Sequence, residues 1–171
     1  MLLQGTGKPH GTSNPQARIA DLHRRLDVLK GSPAPSAEDV DLGSALAAER
    51  YILVLEDDAA TADLLKSIIE EECGIATHLA ATGVRALEAV AAHRPLLILV
   101  DLIVPLLDGE HFMREVRAHD PEVPFIVMSA LAASELERVA ALFGAPCLLK
   151  PFGIEALLDS VSDVLDRTAW A

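Results

Sequence analysis

Glu56, Asp57, Asp101, Ser129 and Lys150 are the residues whose types and placement could do chemistry. Each follows a short apolar run: YILVL before Glu56-Asp57-Asp58, LLILV before Asp101, PFIVM before Ser129 and CLL before Lys150-Pro151. Three carboxylates brought within a few ångströms of one another repel unless a proton or a cation intervenes. A hard, oxygen-liganded ion such as Mg²⁺ or Mn²⁺ resolves that repulsion. A lysine held beside them is a mobile point charge suited to a phosphoryl oxygen or to an ion pair, and Ser129 adds a small hydroxyl. Taken singly, each residue has an ordinary explanation. Acids after a strand cap the next helix, as Asp58 can for residues 59–72, a serine after a strand starts a cap, and a lysine beside acids makes a salt bridge. Four such positions at the ends of four different apolar runs are harder to assign to capping alone.

The elements that would position them alternate strictly. From Tyr51 onward the apolar runs YILVL, IATHLA, LLILV, PFIVM and CLL are followed by amphipathic segments at 59–72, 83–93, 108–119, 131–142 and 153–166. Runs that are apolar at every position suit strands covered on both faces, and helical crossovers between them require a parallel sheet. The reading is an α/β fold: a five-stranded parallel sheet with helices on both faces. In such sheets the active crevice lies beyond the carboxyl ends of the strands, where the five polar residues fall.

Composition narrows the partners. The chain has 171 residues, 51% of them hydrophobic and only 4% aromatic, so aliphatic side chains and alanine must fill the core. Its formal net charge of −12 falls entirely in residues 51–171, because the six basic and six acidic side chains of residues 1–50 balance. So acidic a surface repels phosphate backbones and anionic lipid, and neither direct nucleic-acid nor membrane binding is expected. Cys73 and Cys147 cannot make a disulfide framework. MLLQGTGKPH lacks a signal-peptide apolar run, and the longest apolar stretches are divided by Asp101, so the expected location is cytoplasmic. His78, His93, His111 and His119 show no ligand spacing and are expected on the solvated surface.

Residues 1–50 read as a flexible N-terminal extension, with Gly-, Pro- and Ser-rich strings around one short amphipathic helix at about 15–30. Asn14 and Pro15 make its start signal, and Ile19, Leu22, Leu26 and Leu29 make its apolar stripe. The expectation is partner docking or weak self-association through this stripe.

Residues 51–168 resemble the receiver domain of two-component response regulators, a flavodoxin-like fold. The resemblance rests on YILVLEDD, on VDLIVPLLDG with Pro105 and Asp108-Gly109, on FIVMSA and on CLLKPF, four motifs in the family's order. It implies that Asp101 is the phosphoacceptor, served by the phosphohistidine of a histidine kinase or histidine phosphotransfer protein. Glu56, Asp57, Asp101 and the Ile103 backbone carbonyl would hold Mg²⁺ (or Mn²⁺), Ser129 would bond a phosphoryl oxygen, and Lys150 would pair first with Asp101 and then with the phosphoryl group. Pro105 and Asp108-Gly109 would shape the loop that aims Asp101. No output domain is visible, so the expected role is a single-domain phosphorelay protein that changes its docking to a downstream partner, catalysing only its own phosphorylation and slow dephosphorylation. Cys147 stands where the family usually carries a reorienting aromatic. Ile103 and Leu131 occupy the positions where fast-dephosphorylating receivers carry polar groups, which predicts a long-lived phosphoryl group. Two alternatives are a receiver-like scaffold that is never phosphorylated and a Mg²⁺-dependent phosphatase of the haloacid-dehalogenase type. The latter needs a proton donor where this chain has Ile103.

Overall fold

The computed structural model describes residues 50–169. The expected N-terminal extension and its helix at about 15–30 lie outside the described residues. Ten elements alternate as read from sequence: β1 Tyr51–Leu55, α1 Ala59–Cys73, β2 Ala76–Ala80, α2 Gly83–Ala92, β3 Leu97–Asp101, α3 Gly109–His119, β4 Phe125–Ser129, α4 Ala133–Phe143, β5 Cys147–Leu149 and α5 Ile154–Ala169. All strand pairs are parallel and the order is β2-β1-β3-β4-β5.

The side-chain alternation of each strand feeds two cores. On one face Leu53, Leu55, Ile98, Val100 and Val127 meet α2, α3 and α4 through residues such as Leu87, Phe112, Val116 and Val139. On the other, Ile52, Val54, Leu97, Leu99 and Ile126 meet α1 and α5 through Leu65, Ile69, Leu157 and Val161. β1, β3 and β4 are buried at every position, which is why their sequences show no polar alternation.

Helix starts and stops follow local chemistry. Asp58 and Asp108 cap α1 and α3 by accepting from the amides of Thr61 and His111, each at 2.8 Å, and Thr82 caps α2 through Arg85 N at 3.3 Å. Gly74 and Gly144 end α1 and α4 in the left-handed region at φ 65° and 62°, where a side chain would be strained. α4 begins two residues later than its periodicity suggests, because the Ser129 hydroxyl accepts from Leu131 N at 3.2 Å and holds that turn outside the helix. α5 runs to Ala169, past the expected end at 166.

One histidine departs from expectation. His93 and His111 are exposed, but His78 lies within β2 and is 3% exposed, its ring edge-on to Tyr51 at 6.2 Å and its Nδ1 without a hydrogen-bond partner. Although β2 is an edge strand, the run IATHLA contributes to both cores through Ala76 and Ala80 on one face and Ile75 and Leu79 on the other, and the histidine goes inside with it.

Candidate functional site

β1 and β3 are neighbours in the sheet although β2 separates them in sequence, so the chain reverses its direction of winding there. Such a switch point opens a crevice at the carboxyl ends of the two strands. Glu56 follows β1, Asp101 ends β3, and Lys150, the residue after β5, reaches both with its ammonium.

Glu56 and Asp101 are almost completely buried, at 4% and 5% exposure, and Asp57 beside them is exposed. One carboxylate oxygen from each of the three lies within 4.8 Å of the others. The Lys150 ammonium bridges the two buried acids, donating to Glu56 Oε2 and Asp101 Oδ2 at 2.5 Å each. The remaining oxygens are met by backbone: Glu56 Oε1 accepts from Asp58 N at 3.2 Å and Asp101 Oδ1 from Ile103 N at 2.9 Å. Partial burial works against the charged lysine, but the hydrogen bonds and attraction of Asp101 and Glu56 outweigh it and hold its pKa above the ordinary lysine value.

The lysine is set in place by its backbone. Lys150 N donates to Ser129 O at 2.9 Å, tying the end of β5 to the end of β4, and the Lys150–Pro151 bond is cis. Ser129 is fully buried, and its hydroxyl oxygen accepts from Leu131 N, which leaves the hydroxyl hydrogen to donate. It stands at the end of the strand beside β3, one step beyond the residue paired with Asp101.

The loop after Asp101 is packed to close tolerance. Gly109 N donates to Leu102 O at 3.2 Å, and a Cβ on Gly109 would lie 2.4 Å from the Asp101 carbonyl oxygen and 2.8 Å from Leu102 Cα. Only glycine fits, so the Asp-Gly pair caps α3 with one residue and admits the strand end with the next. Leu106, after Pro105, takes φ 71° with its side chain 66% exposed, a left-handed conformation that the sequence does not advertise. Ile103 is 53% exposed at the rim of the crevice, whereas Leu131 is drawn against the core under α4. The two residues expected to cover the site together therefore differ, and only Ile103 stands free of the core.

The donor set suits a hard divalent cation: three carboxylates within one ion's reach, no sulfur or imidazole, and one acid open to solvent. Lys150 contacts two of those carboxylates and offsets one of the three negative charges, so a cation binding there shares oxygens with the ammonium.

Comparison with known proteins agrees with this geometry. Residues 52–162 match the family model of the response regulator receiver domain. The chain is 38% identical over 120 residues to the response regulator MprA of Mycobacterium sp. (strain KMS) and 39% identical over 119 residues to MprA of Mycobacterium leprae, covering 69% and 68% of this chain and 51% of each relative. It thus spans about half the length of the curated relatives it matches. Among solved structures, the receiver domain of the Francisella response regulator 1452 superposes with a TM-score of 0.64 at 30% identity, covering 70% of this chain and 98% of that one. A CheY-like receiver domain protein from Methanospirillum hungatei gives 0.64 at 28% identity, over 69% and 94%. A doubly wound sheet with its acids and lysine at the β1/β3 switch point, matched by a family model over most of the described residues, places this chain in the response regulator receiver family.

Proposed function

We propose that this domain accepts a phosphoryl group on Asp101 from the phosphohistidine of a histidine kinase or histidine phosphotransfer protein, and that the phosphorylated form docks differently to a downstream protein. The observation that supports it best is the Lys150 ammonium held at 2.5 Å between two buried carboxylates. A structural ion pair needs one acid; a cation shared by two can let go of one of them without losing its anchorage.

In the transfer, one Asp101 carboxylate oxygen attacks phosphorus in line, the P–N bond to the imidazole breaks, and the nitrogen leaves with the electron pair. The product is an acyl phosphate. Catalysis of this kind is mainly positioning and charge neutralisation. Ile103 N, bonded to Oδ1, fixes the carboxylate plane. Lys150 keeps its bond to Glu56 and shifts its second contact from Asp101 to a phosphoryl oxygen, and the Ser129 hydroxyl donates to another. Mg²⁺, held by Glu56, Asp57, Asp101 and the Ile103 carbonyl, would supply further neutralisation of the phosphoryl oxygens.

The test is intact-mass measurement after incubation with Mg²⁺ and acetyl phosphate. Wild type is expected to gain one phosphoryl mass and Asp101→Asn none. An unmodified wild type, or an adduct that survives Asp101→Asn, overturns the reading.

A further inference from the structure

α1 and the segment that follows β5 do not close over the two-helix face of the sheet. Between them lies an open cleft of about 440 Å³ lined chiefly by Leu64, Leu65, Ile68, Phe152, Ile154 and Leu157, with Lys150 and Pro151 at one end. Leu64 and Ile154 are 59% and 54% exposed, among the few large apolar side chains that the described residues present to solvent. Exposed apolar surface gathered in a concave place marks a binding surface.

Charge and chain length indicate what fills it. The elements that build the cleft carry exposed Asp58, Asp63, Glu71, Glu72, Glu155 and Asp159. Their only basic residues before Arg167 are Lys66, against Glu70, and the lysine already engaged by Glu56 and Asp101. An apolar occupant of opposite charge suits these elements best. Residues 15–30 have that composition: Ile19, Leu22, Leu26 and Leu29 on one helical stripe, and Arg18, Arg24, Arg25 and Lys30 against Asp21 and Asp27. As a helix, the stripe from Ile19 to Leu29 is about 15 Å long, comparable to the cleft-lining stretch of α1. The segment is joined to β1 by residues 31–50, rich in Gly, Pro and Ser, and a chain of that length and composition has a reach of roughly 25 Å, enough to span a domain of this size. Tethering at that distance gives an effective concentration of order millimolar, so even weak docking is populated within one molecule.

We propose that residues 15–30 dock in cis into the cleft between α1 and the start of α5, apolar stripe inward and arginines toward the exposed acids of the elements that flank it. An occupant of this cleft lies against Lys150-Pro151, at the edge of the carboxylate crevice.

The full chain is the test object. In ¹⁵N-labelled protein, Leu22→Glu/Leu26→Glu is expected to shift the amides of Leu64, Ile68, Phe152 and Ile154 and to leave those of α3 and α4 in place. Leu64→Glu/Ile154→Glu is expected to move the amides of residues 19–29 to their positions in the first variant. Both effects should persist on dilution, with the wild type sedimenting as a monomer. Cleft amides that ignore the first variant overturn the proposal. So do shifts that vanish on dilution while the protein sediments as a dimer, which would make a second copy the occupant.

Discussion

The two ends of the sheet each hold a partly buried cation, and each solves the burial differently. At the carboxyl end Lys150 sits between two carboxylates; at the amino end Arg117 donates to the carbonyls of Pro121, Val123 and Phe143 at 2.5, 2.9 and 3.4 Å and stacks over the Phe125 ring at 4.7 Å. Burial lowers the pKa of both. For Arg117 it wins, despite the pull of Asp120, and the guanidinium is held below its ordinary value; for Lys150 the acids win and the ammonium is held above. Neutral carbonyls fix a cation by geometry and gain nothing from exchanging it. Two acids held by one ammonium form an arrangement that another cation or a phosphoryl group can enter. The first cation ties a loop down and the second occupies a site.

The sharpest way to break that contrast is to remove each cation and add Mg²⁺. Lys150→Met leaves Glu56 and Asp101 facing each other while buried and should cost about 2–3 kcal/mol of stability in chelator, most of it recovered at saturating Mg²⁺. Arg117→Met, which orphans carbonyls that solvent partly reaches, should cost about 2 kcal/mol with no response to Mg²⁺. Denaturant unfolding with and without the ion measures both. An equal Mg²⁺ response in the two variants would dissolve the distinction.

The next effect concerns the rim of the carboxyl end. Ile103→Asn places a hydrogen-bonding group where an attacking water must be oriented and should speed loss of the phosphoryl group about tenfold. Leu131→Glu, because Leu131 packs on the core, should lower stability before it changes the decay rate. Timing the decay of purified phosphoprotein beside a melt of each variant separates the two effects.

His78, midway along the edge strand β2, carries the comparison to a buried titratable group whose Nδ1 has no hydrogen-bond partner. Burial first, and Lys66 second, hold its pKa below the ordinary histidine value. The native state therefore binds fewer protons than the unfolded chain once pH falls below about 6.5, so stability declines as pH drops, at up to about 1.4 kcal/mol per unit. His78→Leu should flatten the curve between about pH 6.5 and 5, above the range where most carboxylates titrate. A slope unchanged by the substitution would place the proton elsewhere.

The smallest expected effect is Leu106→Gly. Relief of a left-handed φ should stabilise by about 1 kcal/mol, since the exposed side chain gives up little contact. A loss instead would show that Leu106 earns its strain through packing.

Strand ends were legible because a polar residue that terminates an all-apolar run has only one place to go in a parallel sheet. That rule puts Glu56, Asp57, Asp101, Ser129 and Lys150 at strand ends without any contact being known, and the capping role of Asp58 follows from the same reading. It could not separate Ile103 from Leu131, because both follow a strand by two residues and only the turn held by Ser129 decides which one meets the core. His78 was misplaced for a related reason: absence of ligand spacing says nothing about burial, and the apolar neighbours in IATHLA were the better signal. The cleft beside α1 was invisible, since periodicity reports which face of a helix is apolar and not whether a neighbour reaches it.

The absence of room at Gly109 has a mechanical consequence. With its Cα seated against the carbonyl of Asp101 and its amide bonded to Leu102, nothing compressible lies between the end of β3 and the first turn of α3. A side chain there would act as a cushion. Without one the contact is stiff, and a backbone displacement of a few tenths of an ångström at Asp101 is passed undamped to the head of an eleven-residue rod whose far end carries Arg117 and the amino-end loop. The acid and the loop-anchoring arginine are thus the two ends of one rigid linkage, with glycine as its bearing.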